Sequence, residues 1–159
     1  MEDKKVLDIF KEEVETLCSL LGVDCDCKYS IEEGDEDIKY LKVSFNGEDL
    51  GYMIGNHGRH LDSLQYMIQI IMGRKLDSDY NFRVFVDVGG YREEKNNKLE
   101  ELALQKADDA RILGDEIALP PMKPSDRRVI HLALSKFKDI ETESRGEDRD
   151  RYIVIKPIK

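Results

Sequence analysis

The sequence predicts an α+β protein made of two small units in tandem, and three observations carry that expectation. Apolar residues between positions 3 and 88 switch between a three-to-four and a two-residue period, in the order helix, strand, strand, helix, strand. A long polar stretch then follows over 91–113, with helical spacing but few large apolar side chains. Beyond Pro120-Pro121, a short helical pattern gives way to two brief alternating segments. A chain of 159 residues has room for one ordinary domain or two small ones. The boundary is placed near 90–115, with domains expected at 1–90 and 91–159.

Each element has a local reason. Val6, Ile9, Phe10, Val14, Leu17 and Leu21 recur at helical spacing, giving a helix over roughly 3–21 that Gly22 stops. Cys25, Cys27, Tyr29 and Ile31 alternate with polar residues as a strand does. Gly34-Asp35-Glu36-Asp37 is a polar turn, and Leu41, Val43 and Phe45 mark a second strand over 38–45 closed by Asn46-Gly47. Leu61, Leu64, Ile68 and Ile71 form a helical stripe over 59–72, with Gly73 as the expected C-cap. Phe82, Val84, Val86 and Val88 alternate as a third strand ending at Gly89-Gly90. Leu99, Leu102, Ala103, Ala110 and Leu113 give the helix over 91–113 a narrow apolar seam, as in helices that join two small domains. Ile117-Ala118-Leu119 reads as a short strand. Pro124 opens a helix with Ile130, Leu134 and Phe137 on one face, and strands are expected over 140–144 and 152–155, joined by a turn at Gly146.

Composition excludes several classes. No run approaches the ~18 apolar residues of a membrane-spanning helix, and the amphipathic start is unlike a secretory signal. Cys18, Cys25 and Cys27 are odd in number and contain no Cys-x-x-Cys; they are read as core residues, with no disulfide framework or metal site, in a reducing cytoplasm. The net charge of −9 argues against a polyanion partner when taken alone. The acid is concentrated in the first ninety residues, however, and residues 123–159 are mildly basic.

Two constellations could carry chemistry. Gly55-Asn56-His57-Gly58 is a Gly-x-x-Gly loop directly before the helix opened by Arg59. Two glycines let the backbone turn tightly and let a phosphate approach without a Cβ in the way. The next helix aims its free N–H groups and positive dipole end at the loop, where Arg59 and His60 stand. By itself the pattern fits a tight helix–helix turn somewhat better. Arg127 and His131 are four apart and share a helix face; the guanidinium offers a planar fork to phosphate, and the imidazole can stack on a base. Their spacing alone equally fits an exposed Arg and a packed His.

The surroundings of both favour the functional reading. Around the loop, the run from Gly51 through Ile54, Gly55, Gly58 and Leu61 to Leu64-Gln65 resembles the core of a KH domain, and the element order resembles its type II arrangement. The run Leu119-Pro120-Pro121 to Leu134, with Arg127 and His131 inside it, then Glu141 to Gly146 and Arg151 to Ile155, resembles the R-3-H domain, named for its Arg and His. Val88-Gly89-Gly90-Tyr91-Arg92-Glu93 matches the junction between these domains in the bacterial Jag, or KhpB, RNA-binding proteins. The chain is thus similar to that family over about residues 3–157. It is expected to start at the KH helix, without the small N-terminal domain and charged linker common in the family.

The resemblance implies single-stranded RNA, or DNA, as partner, with the loop clamping about four nucleotides along their backbone. It implies contacts from Gly55, Asn56, His57, Gly58 and Arg59, and from Arg127 and His131. Charge position adds Lys123, Arg128 and Arg151, and groups Arg145 and Arg149 with Arg151 as a basic face. The middle of the loop departs from the family, which usually has Lys or Arg where this chain has Asn56 and His57. A single-KH-domain protein partner, a homodimer, and RNA-chaperone-type roles in post-transcriptional control or in envelope and division processes are further implications of the resemblance.

Catalysis and cofactors are not expected. Asp24 with Asp26, Asp77 with Asp79 and Asp108 with Asp109 are paired carboxylates, but in turns and on helix surfaces where Asp is ordinary. Nucleophile-elbow, Walker-loop and His-x-x-x-His patterns are missing from the sequence. The competing reading is a protein-interaction adaptor, in which the first unit dimerises or binds a partner and only the second holds nucleic acid.

Overall fold

The protein is described from a computed structural model covering residues 2–158. Two compact units divide it, Met1–Arg92 and Glu93–Lys159. The first contains α1 (Asp3–Leu21), β1 (Asp26–Glu33), β2 (Lys39–Asn46), α2 (Gly51–Ile54), α3 (Arg59–Lys75) and β3 (Phe82–Val88). Its sheet has the order β1-β2-β3. The β1–β2 pair is antiparallel, with Cys27 opposite Phe45. The β2–β3 pair is parallel, with Val43 opposite Val86. A parallel pair needs a long crossover, and α2 with α3 supplies it. The result is the α+β, type II KH arrangement.

Period-two alternation puts Leu41, Val43, Phe45, Val84, Val86 and Val88 on the covered face of the sheet. Val6, Phe10 and Val14 of α1, and Leu61, Ile68 and Met72 of α3, complete that core. Each such burial is worth about 1.5–3 kcal/mol before conformational entropy is subtracted. The outer edge of β3 is occupied by side chains. Val84 N–H donates to Gln69 Oε1 (2.7 Å), and Val86 N–H to Gln65 Oε1 (3.1 Å). The Val86 carbonyl accepts from Arg92 Nε at 2.8 Å. An edge strand closed in this way offers fewer free groups to a foreign strand.

Two local expectations need correction here. Gly73 is not the C-cap of α3. The helix continues to Lys75 and is capped at Leu76, which is buried and anchors the turn. The four-residue α2 is absent from the sequence-based expectation, because so short a helix shows no periodicity.

The second unit contains most of α4 (Tyr91–Leu113), then β4 (Ile117–Ala118), α5 (Pro124–Leu134), β5 (Ile140–Arg145) and β6 (Tyr152–Pro157). The sheet order is β4-β6-β5, with both pairs antiparallel. Ala103, Ala107 and Ala110 of α4 join Ile130, Leu134, Ile153 and Ile155 in its core. Leu113 falls outside the expected seam and is 70% exposed. Positions 103, 107, 110 and 114 line up at 100° per residue, and 113 points away from that line. Phe137 lies beyond the end of α5 rather than on its face. It packs from the following turn, with the Arg111 guanidinium 5.0 Å from its ring.

Candidate nucleic-acid interface

In the first unit, α2 and α3 meet at the loop Gly55–Gly58. Gly55 has φ 69° and ψ −170°, a conformation essentially reserved for glycine. A Cβ there would also lie 2.5 Å from the His60 ring. His60 is held in place by its Nδ1, 2.7 Å from the Tyr52 carbonyl, to which the Nδ1–H tautomer donates. His60 therefore ties the two helices together across the loop.

His57 is left-handed (φ 53°, ψ 30°), as is Gly58 (φ 78°). A Cβ on Gly58 would meet the Tyr91 ring at 3.0 Å, so Tyr91 seats against the loop. Asn56, His57 and Arg59 are exposed. The N-terminus of α3 contributes its dipole to the same place. Asp62 in that first turn opposes an anion, but Arg92 Nη1 stands 3.3 Å from its carboxylate. The loop offers a backbone cradle carrying little formal charge. Tyr66, Met67 and Ile70 are large exposed side chains further along α3.

The second unit builds its candidate site from side chains. Pro124 occupies the first turn of α5, where its missing N–H costs nothing, and Lys123 is the N-cap residue. One turn apart on α5, Arg127 and His131 face β5. Arg127 Nη1 donates to Ser144 Oγ at 2.6 Å, and its Nε to the Met122 carbonyl at 3.3 Å. Arg151, just before β6, donates through Nε to the same Ser144 Oγ (3.1 Å) and through Nη1 to the Gly146 carbonyl (3.0 Å). His131 Nδ1 lies 2.6 Å from Thr142 Oγ1.

Two guanidiniums and an imidazole thus converge on two hydroxyls. Among the described residues, no carboxylate forms an ion pair with Arg127 or Arg151. Asp126, the neighbour of Arg127, is paired with Lys95 at 2.8 Å. Burial, and then the Arg127 charge, hold His131 below the ordinary imidazole range, so the free site keeps it neutral at pH 7. Arg128 is exposed one residue further on.

Strand alternation explains the arrangement. Thr142 and Ser144 face α5, while Glu141 and Glu143 point the other way. Glu143 is taken up by Arg145 and Lys156. This corrects the grouping of Arg145 with Arg151. Arg145 grips Glu116 at 2.8 and 3.0 Å, so its charge is already matched. Sequence reasoning missed Ser144 and Thr142, although their two-residue spacing on an expected strand was the signal. It also missed His60 and Tyr91 as supports of the loop.

The chain carries a KH domain followed by an R-3-H domain. Residues 11–88 match the family model for the KhpA/KhpB KH domain, and residues 97–157 match that for the R-3-H domain. The chain is 37% identical over 135 residues to the RNA-binding protein KhpB of Clostridium symbiosum, covering 85% of this chain and 58% of that one. It is 33% identical over 122 residues to KhpB of Bacillus subtilis (76% and 58%) and 32% over 135 residues to KhpB of Lactiplantibacillus plantarum (85% and 40%). It therefore belongs to the KhpB family. It spans somewhat over half the length of the C. symbiosum and B. subtilis proteins, and 40% of the L. plantarum protein.

Proposed function

We propose that this chain is a non-catalytic adaptor for single-stranded RNA, working without a cofactor. Residues 1–90 would act as the KH domain and 91–159 as the linking helix and R-3-H domain. The observation that carries the reading is the α5–β5 face. Arg127 and Arg151 are oriented by one hydroxyl and compensated by no carboxylate among the described residues, which suits two charge-assisted bonds to phosphate. The relatives' name, RNA-binding protein KhpB, supports the same partner.

In this reading Arg127, Arg151 and Arg128 hold phosphates, and His131 hydrogen-bonds or stacks. Lys123 adds charge at the start of α5. Gly55, Asn56, His57, Gly58 and Arg59 admit the backbone of the same strand or of another. DNA, a single-KH-domain protein and a second copy of the chain remain partners to be tested. A cytoplasmic setting and a part in post-transcriptional control, bearing on envelope or division processes, rest on family resemblance. No helix of the described residues is long and apolar enough to cross a membrane.

A second reading is favoured by a loop centre that carries Asn56 and His57 rather than Lys or Arg, and by exposed Tyr66, Met67 and Ile70. There the KH half makes protein contacts, and the R-3-H half alone binds nucleic acid. Fluorescence anisotropy with ~20-nucleotide single-stranded RNA, single-stranded DNA and duplex RNA separates the readings. Loss of single-strand binding in both Asn56→Asp/His57→Asp and Arg127→Ala/His131→Ala supports two RNA sites. Loss in the second variant alone supports the protein-contact reading. No binding by the folded wild type at low salt refutes both.

A further inference from the structure

The first unit also holds a cluster that RNA binding does not use. Gly22 ends α1 in the left-handed conformation (φ 67°), with Val23 N–H donating to the Cys18 carbonyl at 2.9 Å. This C-cap reverses the chain and returns Cys25 and Cys27 beside the last turn of α1. The three cysteine sulfurs lie within 4.8 Å of one another. Cys25 Sγ and Cys27 Sγ are 3.8 Å apart, alternating onto the same side of the strand segment. All three residues are half-buried. The neighbouring Tyr29 hydroxyl is buried without a hydrogen-bond partner among the described residues.

We propose that Cys18, Cys25 and Cys27 form a binding site for one thiophilic d10 metal cation, of the Zn2+, Cd2+ or Cu+ class. The geometry supports this directly. A cation held by three thiolates at about 2.3 Å needs sulfurs about 3.8–4.0 Å apart, so the cluster closes with sub-ångström shifts. The ligands are soft, and hard oxygen-seeking cations are disfavoured. Binding forms three metal–sulfur bonds and releases up to three thiol protons to solvent, with no change of oxidation state. Without metal, burial pushes the Cys18 thiol up to about 11 and the Cys25 thiol up to about 12. The metal-free cluster is therefore a set of thiols rather than reactive thiolates. It joins the end of α1 to the start of β1, remote in sequence from the Gly55–Gly58 loop.

The test uses the full chain, reduced and kept anaerobic, titrated with Cd2+ and read by sulfur-to-metal charge-transfer absorption and by native mass spectrometry. One ion per chain is expected, with the band lost in Cys18→Ser/Cys25→Ser/Cys27→Ser. Cys18→Ser alone should weaken Cd2+ more than about tenfold, since even outer partners of a metal site cost that much. Circular dichroism confirms that each variant is folded, and a milder Cys27→Ala variant is measured if the triple variant is not. Absence of the band at stoichiometric Cd2+ overturns the proposal. So does a band of wild-type strength in folded Cys18→Ser.

Discussion

The two candidate contacts solve the same problem with different parts of the chain. In the Gly55–Gly58 loop the working element is backbone conformation, set by Gly55, left-handed His57 and Gly58, and braced by His60 and Tyr91. In the α5–β5 face it is side-chain charge, set by Arg127 and Arg151 and braced by Ser144 and Thr142. A backbone cradle is lost by adding atoms. A charged face is lost by removing them, and it responds to salt and pH. The difference explains how an acidic chain of net charge −9 can present a local anion site. Arg127 and Arg151 share one face without an ion-paired carboxylate among the described residues, and Asp126 and Glu143 beside it are paired elsewhere.

The largest expected effect breaks the backbone half of this comparison. Gly55→Ala forces a Cβ into the His60 ring and a non-glycine residue into φ 69°, ψ −170°. A loss of at least about 1–3 kcal/mol is expected in urea unfolding of the first unit. A change below about 0.5 kcal/mol would mean that the loop relaxes and that its conformation is not dictated by glycine.

A smaller effect of opposite sign sharpens the point. Gly73 lies within α3, exposed, with open space where a Cβ would stand and no positive φ. Gly73→Ala should therefore stabilise the first unit by about 0.5–1 kcal/mol, measured in the same way. Glycine matters at 55 and is dispensable at 73, and the pair of variants separates conformational need from mere occurrence.

The smallest effect belongs to the charged half. The folded pKa of His131 is depressed below 6.5, so on acidification the unfolded chain takes up the proton first. Stability contributed at this position is present above pH 6.5 and is lost as pH falls through the folded value. In thermal melts from pH 7.5 to 5, the wild type should therefore lose more stability than His131→Gln. Equal losses in both would show that His131 is not held neutral by its surroundings.

Much of this was legible in the sequence, for a physical reason. Helical and strand periods are local, so α1, β2, α3, β3 and α5 follow from residues a few positions apart. The Gly-x-x-Gly loop and the Arg127–His131 spacing are local in the same sense. What escaped depends on contacts across long separations. Ser144 orients Arg127 from 17 residues away, and Arg145 is withdrawn from the site by Glu116, 29 residues away. The cysteines read correctly as packed against the core, but the reversal at Gly22 that gathers their sulfurs is a tertiary consequence. Gly73 resembles a cap in sequence, and burial of Leu76 carries the helix past it.

The central claim is that the second unit binds single-stranded RNA by phosphate contacts from Arg127 and Arg151. The most direct measurement is the salt dependence of RNA affinity for wild type and Arg127→Ala/Arg151→Ala. Each phosphate contact on a single strand contributes about 0.7 to the slope of log affinity against log salt. Loss of two contacts should therefore lower the slope by about 1.4 and weaken binding at low salt. An unchanged slope and affinity in a folded double variant would contradict the claim.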